Sequence, residues 1–176
     1  MKTLVRWIQT ANALCARIPH LPIALVARFS IAAVFWKSGQ TKIEGLAIDI
    51  VDGKFSLGWP RLADSAVELF RDEYKVPLLP PELAAPLAAT AEHLLPALLL
   101  IGLATRLSAL GLLAMTAVIQ TFVYPGAYPT HGVWAAVLLY LVGMGPGAVS
   151  IDRWLARRSE RTPARHRAGP RHLHTR

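Results

Sequence analysis

Cysteine is almost absent from this chain of 176 residues, because Cys15 is the only one. A single thiol excludes both a CxxC pair and a disulfide within the chain, so the chain alone cannot run a dithiol–disulfide cycle. The sequence also lacks a nucleophile constellation, a phosphate-binding loop and a dinucleotide fingerprint. It therefore carries no motif of the common soluble enzyme classes.

Charged residues are scarce in four apolar stretches of about 20 residues each, the length that a membrane-spanning helix needs. None of the four has a polar face wide enough for a helix on the surface of a soluble protein. We therefore predict an all-α, polytopic membrane protein built on a four-helix transmembrane bundle. The predicted spans are residues 23–43, 83–104, 107–124 and 132–149.

The charges outside these stretches are unevenly distributed. Basic residues concentrate before residue 18 and after residue 152, whereas eight of the 11 acidic residues lie between residues 43 and 84. The positive-inside rule then places both termini in the cytoplasm and the long loop outside. The formal net charge of +8 comes mostly from the C-terminal tail, so we expect a lipid bilayer as partner and no nucleic acid.

This pattern divides the chain into an N-terminal arm (1–20), a membrane domain (21–155) and a basic tail (156–176) that we expect to be disordered. The arm spaces its apolar residues like an interfacial amphipathic helix. A cleaved signal peptide is the alternative, but Arg6, Gln9 and Asn12 interrupt the apolar core that it requires. The outer loop (44–82) contains a short helical pattern that begins near Pro60, and we interpret this loop as a lid. Trp59 and Tyr74 are suited to anchoring the lid at the membrane surface.

Polar residues recur in the half of each span that faces outward, at Lys37, Glu92, Gln120 and His131. Their helical phase predicts that they converge, with Lys37 as the counter-charge of Glu92 and with His93 nearby. Two readings are open: a network that only fixes the register of the helices, and a pocket that handles protons or a ligand. No HxxxH or ExxH spacing supports a metal site, and none is predicted.

Several short motifs point to a known family. They are Arg28, "SGQTK" at 38–42, Glu92, "GLATRLSALGLLAM" at 102–115 and "GMGPGAVSID" at 143–152. On these residues the chain, over roughly residues 20–155, resembles the DoxX family of small four-span bacterial membrane proteins. One departure is Ser38, since the family often has a histidine before the first-span glycine.

The resemblance implies a subunit of the bacterial cytoplasmic (inner) membrane that is linked to redox chemistry, with a quinone as candidate cofactor. It implies partner proteins in redox or maturation chemistry. The stretches "LFRDEYKVPLLPPELA" and "FVYPGAYPTH" are similar to a branch that accompanies the maturation of copper-binding peptides, the bufferins. On this basis Glu92 and Lys37 are the candidate catalytic residues. The candidate ligand-binding residues are Arg28, Gln40, Lys42, His93, Gln120 and His131.

Three functions remain open from the sequence: a quinone-linked accessory subunit, a small transporter or copper-handling protein, and a non-catalytic scaffold. If the chain takes part in catalysis, we expect it to do so as a subunit of a quinone-linked oxidoreductase complex. The sequence also leaves a homo-oligomer open.

Overall fold

A computed structural model describes residues 1–49 and 53–161. The chain is mainly helical, with one β-hairpin inserted after the second helix. Within the described residues the seven α-helices are α1 (Lys2–Cys15), α2 (His20–Gln40), α3 (Asp64–Leu69), α4 (Pro81–Ile101), α5 (Thr105–Val118), α6 (Tyr128–Met144) and α7 (Ile151–Arg161). The strands are β1 (Ile43–Asp49) and β2 (Lys54–Leu62).

Two helices end in wider, π-helical turns. The turn Phe70–Tyr74 continues α3, and the turn Ile119–Val123 continues α5. A short 3₁₀ turn, Pro125–Ala127, then leads into α6. Because π-helical turns are frequent at functional sites, both turns mark regions where a site is expected.

Four helices form an antiparallel bundle in which α2 packs on α4, α4 on α5, α5 on α6, and α6 back on α2. Three of them, His20–Gln40, Pro81–Ile101 and the continuous helix Thr105–Val123, are long and apolar enough to cross a membrane. The fourth, α6, has 17 residues and lies at the short end of the spanning range. The all-α, polytopic membrane fold is thus confirmed. The buried centre of the bundle consists of Ala27, Ile31, Ala32, Phe35, Leu99, Ala109, Leu112, Leu138 and Leu141.

The helix boundaries follow from proline and glycine. Pro81 begins α4, where its missing amide costs no hydrogen bond, and Gly102 ends that helix in the left-handed conformation (φ 69°). The predicted span 132–149 is too long, because Gly145 (φ 78°) and Gly147 (φ 84°) take the chain out of α6 after Met144. The predicted span 23–43 likewise overruns α2, which ends at Gln40.

The β-hairpin was not predicted. β1 and β2 pair antiparallel, with Leu46 opposite Leu57 and a bulge between Glu44 and Leu46. Gly45 has a φ of 87°, and a Cβ there would lie 2.3 Å from the Trp59 backbone oxygen, so the bulge requires glycine. The helix that we placed from Pro60 is wrong at its start, since Pro60 lies in β2 and α3 begins at Asp64.

The two ends of the bundle differ. At one end, here called the lid end, the hairpin is followed by α3 and the turn Phe70–Tyr74. In the structure we use the word lid for α3 and this turn, without the hairpin. Ala63, Ala66 and Phe70 of this region pack on Ala84 and Ala85 of α4. At the other end, α1 contributes no buried residue. Helix α7 includes the first residues of the predicted disordered tail, and residues 162–176 lie outside the described part.

Candidate functional site

A cavity of about 530 Å³ lies in the half of the bundle nearer the lid end. Helices α2, α4, α5 and α6 form its walls, and Phe70 and Tyr74 of the lid cover one end. Most of the wall is apolar, as is usual for a small-molecule site, where a few polar groups fix the orientation of the ligand. The polar residues of the wall are Ser38, Tyr74, Glu92, Tyr124 and His131.

Glu92 is the buried carboxylate of this wall. Its Oε1 accepts a hydrogen bond of 3.1 Å from Ser38 Oγ, and its Oε2 lies 2.7 Å from the ammonium nitrogen of Lys42. Oε2 receives no regular hydrogen bond from the described residues. Lys42 Nζ also lies 3.1 Å from Ser38 Oγ, so the three side chains form one connected group. Lys42 itself does not line the cavity and acts there through Ser38 and Glu92.

The sequence led us to expect Lys37 as the partner of Glu92, and this expectation was wrong. The Lys37 side chain is 60% exposed, and its Nζ lies 3.8 Å from Asp49 Oδ2. Lys42 takes the predicted position, because α2 ends at Gln40 and the chain turns back over α4. Helices α2 and α4 approach closely at Gly39, where a Cβ would lie 2.7 Å from His93 Cε1.

His93 lies beside Glu92 in the chain but serves a different contact. Its Nδ1 lies 2.7 Å from the Ala89 carbonyl, and its Nε2 lies 2.9 Å from Gln40 Nε2. Gln40 Oε1 accepts the backbone N–H of Ile48 at 2.7 Å, so the Gln40 amide nitrogen is the group that donates to His93. Both ring nitrogens are thereby used, and His93 ties α4 to β1 instead of lining the cavity.

His131 lines the cavity from α6. Its Nδ1 lies 2.7 Å from Gln120 Oε1, while Gln120 Nε2 donates to the Pro125 carbonyl at 2.6 Å. Because that carbonyl only accepts, Gln120 Oε1 must face His131 and take the proton of Nδ1. Nε2 of the neutral ring is then an acceptor, and it has no hydrogen bond among the described residues. Gln120 thus positions His131 and does not itself line the cavity.

The lid is joined to α5 by two tyrosines. Tyr124 Oη donates a short hydrogen bond to Glu73 Oε1, and the rings of Tyr74 and Tyr124 meet edge to face at 5.8 Å. The hydrogen bond to Glu73 holds the phenol proton of Tyr124 and raises its pKa above the ordinary value. Burial raises the pKa of Tyr74. We call the contact between Tyr124, Glu73 and Tyr74 the latch.

The DoxX family model matches residues 23–125, which is more than half of the chain. The chain belongs to the DoxX family. No curated protein and no solved structure matches it. Glu92 and Ser38, the polar groups of α4 and α2 in the cavity wall, lie inside the matched region, as does Tyr124.

Arg28, a residue of the DoxX resemblance, lies outside the cavity near the end opposite the lid. Its guanidinium donates to the carbonyls of Leu99 (2.7 Å), Leu100 (2.6 Å), Val149 (2.7 Å) and Pro146 (3.1 Å). Two of these carbonyls, those of Leu99 and Leu100, lie in the last turn of α4, where carbonyls have no partner within the helix. The other two belong to the segment between α6 and α7. We call this arrangement the clasp, and it leaves Arg28 in a structural position.

Asp152 completes the clasp of this DoxX chain. Its two carboxylate oxygens accept the backbone N–H groups of Ala104 (2.7 Å) and Thr105 (2.9 Å) at the start of α5. A carboxylate at a helix N-terminus is favourable for both the free amides and the helix dipole. Gly102 permits the close approach, since a Cβ there would lie 2.5 Å from Ser150 Cβ.

Sequence reasoning found Glu92 and His131 but missed other parts of this DoxX cavity. Tyr74 and Tyr124 were seen at most as interfacial residues, and Ser38 was noted only as a departure from the family pattern. A spacing signal for Ser38 existed, because Ser38 lies in the last turn of α2 and Lys42, four residues later, just beyond its end. Within residues 1–49 and 53–161, no group of three or more His, Cys, Asp or Glu is arranged to hold a metal ion.

Proposed function

We propose that this DoxX protein is an accessory membrane subunit in redox or maturation chemistry, and that its cavity binds a molecule of the quinone class. One observation carries the proposal: a buried carboxylate, Glu92, and a buried imidazole, His131, border the same apolar cavity. Polar groups of this kind inside a membrane bundle commonly mark functional sites.

The hydrogen-bonding character of these two groups favours the reduced form, a quinol. Glu92 is an acceptor held by Lys42, and His131 Nε2 is an acceptor because Nδ1 carries the proton. A quinol offers two hydroxyl donors, and these complement two acceptors. Its oxidation releases two electrons and two protons. In this proposal the protons pass to Glu92 and His131, and the electrons pass to an oxidised redox centre of a partner protein.

Lys42 and Ser38 are positioning residues in this scheme. Lys42 compensates the charge of Glu92, and Ser38 orients Oε1 by its hydrogen bond. Lys37, Gln40 and His93 have no direct part in it, because they do not line the cavity.

The distribution of charge supports an orientation for the subunit. We propose that it resides in the bacterial cytoplasmic membrane with the lid outside and both termini in the cytoplasm, as the positive-inside rule indicates. The cavity would then lie in the outer half of the bilayer. A partner redox or maturation protein would approach the lid end. The similarity to the branch that accompanies copper-peptide maturation suggests that such a partner belongs to that maturation chemistry.

The test is mass spectrometry of the lipophilic molecules that remain with the detergent-purified protein. We expect near-stoichiometric quinone or quinol, and a loss of at least tenfold in Glu92→Gln. Glu82→Gln is the matched control, since Glu82 is on the same helix but is exposed and paired with Arg71. His131→Leu tests the second contact independently. Retention that is equal in all four proteins, or absent from the unsubstituted one, contradicts the proposal.

A further inference from the structure

Helices α4 and α5 are in close contact on the clasp side of the cavity. A Cβ at Gly111 would lie 2.8 Å from Leu95 Cδ1, so the two helices meet there with no space for a larger side chain. Both residues lie about one and a half turns from the tight connection between the helices. Gly111 still lines the cavity, so this contact marks the clasp-side limit of the space between α4 and α5.

Towards the lid end the same two helices border the cavity with small side chains. Ala88 and Ala91 of α4 face this space, and Ala114 of α5 lies on the other side. Alanine leaves the interhelical space unfilled, whereas larger residues at these positions would close it. The cavity therefore extends between the two helices.

The edge of this space is exposed on the outside of the bundle. Leu87 of α4 is 58% exposed and Val118 of α5 is 38% exposed, and both line the cavity, as does the exposed Ala114. They lie in helices that are long and apolar enough to cross a membrane. In a bilayer an exposed apolar position within such a helix contacts acyl chains and not water.

The lid borders the other end of the cavity, where the exposed Leu79 and Tyr124 also line it. Phe70 is buried against Ala84, and the latch joins the lid to the end of α5. A ligand that enters from the membrane between α4 and α5 leaves the contacts of Phe70 and of the latch intact.

We propose that the cavity opens sideways to the bilayer between α4 and α5, and that it takes a membrane-dissolved ligand with a long apolar tail. The polar head of the ligand contacts Glu92 and His131, and its tail leaves between Ala91 and Ala114. The inference rests on the proposed function only for the nature of the head group. The side opening itself depends on the geometry of the two helices.

The opening is tested with a phospholipid that carries a diazirine at the end of one acyl chain. The full chain is reconstituted with this lipid in nanodiscs without added quinone, illuminated, and mapped by peptide mass spectrometry. We expect label at Phe35, which lines the cavity and is 1% exposed, as well as at the exposed Phe122. Phe122 serves as the internal reference for ordinary lipid contact.

Ala114→Leu narrows the opening and should reduce the ratio of Phe35 to Phe122 label by at least fivefold. Ala91→Leu repeats the test from the opposite wall. Ala117→Leu is the matched control, because Ala117 is an exposed alanine of α5 that does not line the cavity. Tyr124→Phe, which loosens the latch, should leave the ratio unchanged.

Three results would overturn the inference: no label at Phe35, a ratio unaffected by both Ala114→Leu and Ala91→Leu, or a ratio that rises in Tyr124→Phe. The last result would assign entry to the lid. The labelling reports entry of an acyl chain whether or not a quinone binds. A protein that is labelled at Phe35 but retains no quinone would thus refute the proposed function and keep the side opening.

Discussion

The ammonium nitrogen of Lys42 lies 2.7 Å from Glu92 Oε2, and the two side chains are only 2% and 4% exposed. This ion pair joins the segment just after α2 to the middle of α4 beneath the β-hairpin. Ala63 donates its backbone N–H to the Lys42 carbonyl at 3.0 Å, so the residue that leads into the lid is held at the same point. One buried pair therefore connects the cavity wall, the hairpin and the lid.

Removal of one partner from this pair should be strongly destabilising. We expect Lys42→Met to reduce the free energy of unfolding by about 3–5 kcal/mol, because it leaves the Glu92 carboxylate buried without a counter-charge. Lys37→Met should cost less than about 1 kcal/mol, since Lys37 is mostly exposed. Thermal and denaturant unfolding in one detergent would measure both.

The double variant Lys42→Met with Glu92→Gln shows whether the charge is the cause. Removal of both charges should recover more than half of the loss seen in Lys42→Met alone. If the double variant is as unstable as the sum of the two single variants, Lys42 contributes through packing and not through its charge.

His93 should be important for the hairpin and unimportant for the ligand. We expect His93→Leu to expose the hairpin to limited proteolysis at least several-fold faster, because the chain of hydrogen bonds from Ala89 through His93 and Gln40 to Ile48 is broken. Gln40→Leu should have the same effect. Quinone retention that falls in His93→Leu as far as in Glu92→Gln, with an intact hairpin, would show that His93 is a ligand contact.

The sequence was sufficient for the helical membrane fold, and it singled out Glu92 and His131, which border the cavity. Length, apolarity and scarcity of charge identify a membrane helix without tertiary information, and Glu92 stands out because carboxylates are rare in such helices. The choice of Lys37 as its partner was wrong because we assumed that the helix continues to residue 43 and looked for a partner only on its face. The partner is instead Lys42, which lies beyond the end of α2, where the course of the chain depends on tertiary contacts.

The sequence contains a local hairpin signal, but a helical pattern in the same loop was equally visible. Asp52-Gly53 lies between alternating apolar residues, which is a typical hairpin pattern. The pattern Leu62, Ala66, Leu69 and Phe70 was equally compatible with a helix that starts at Pro60. The pairings of Glu44 with Arg61 and of Ile43 with Leu62 place the residues after Pro60 in a strand, and they join residues 17 and 19 positions apart.

Arg28 should be essential for folding and dispensable for ligand chemistry. We expect Arg28→Met to reduce the free energy of unfolding by more than about 3 kcal/mol, because it removes the donor of four hydrogen bonds to backbone carbonyls. Arg28→Lys should recover only part of this loss, since an ammonium cannot reproduce the planar fork of donors. Arg106→Met is the control, because Arg106 is exposed and donates one hydrogen bond of 3.2 Å to Gly143. A folded Arg28→Met protein that had lost its quinone would instead make Arg28 a ligand contact.

The latch should weaken at strongly alkaline pH. The hydrogen bond to Glu73 raises the pKa of Tyr124 in the folded protein, whereas a tyrosine in the unfolded chain has a pKa of about 10. Because the pKa is higher in the folded state, the stabilisation is fully present at a pH below the pKa of the unfolded chain. It is lost as the pH rises through the pKa of the folded protein. Burial raises the pKa of Tyr74 as well, so its contribution to stability is also lost as the pH rises.

Tyr124→Phe removes the donor of the latch. We expect it to reduce the free energy of unfolding by about 1 kcal/mol at neutral pH and by progressively less at strongly alkaline pH, where the unsubstituted protein also loses the bond. Ultraviolet titration of tyrosinate should show late-titrating tyrosines among the four of the chain, with one fewer in the variant. Tyr128→Phe is the control, since Tyr128 is exposed. A destabilisation that is independent of pH would show that the ring of Tyr124 supports the lid by packing, and that its proton has no part in the latch.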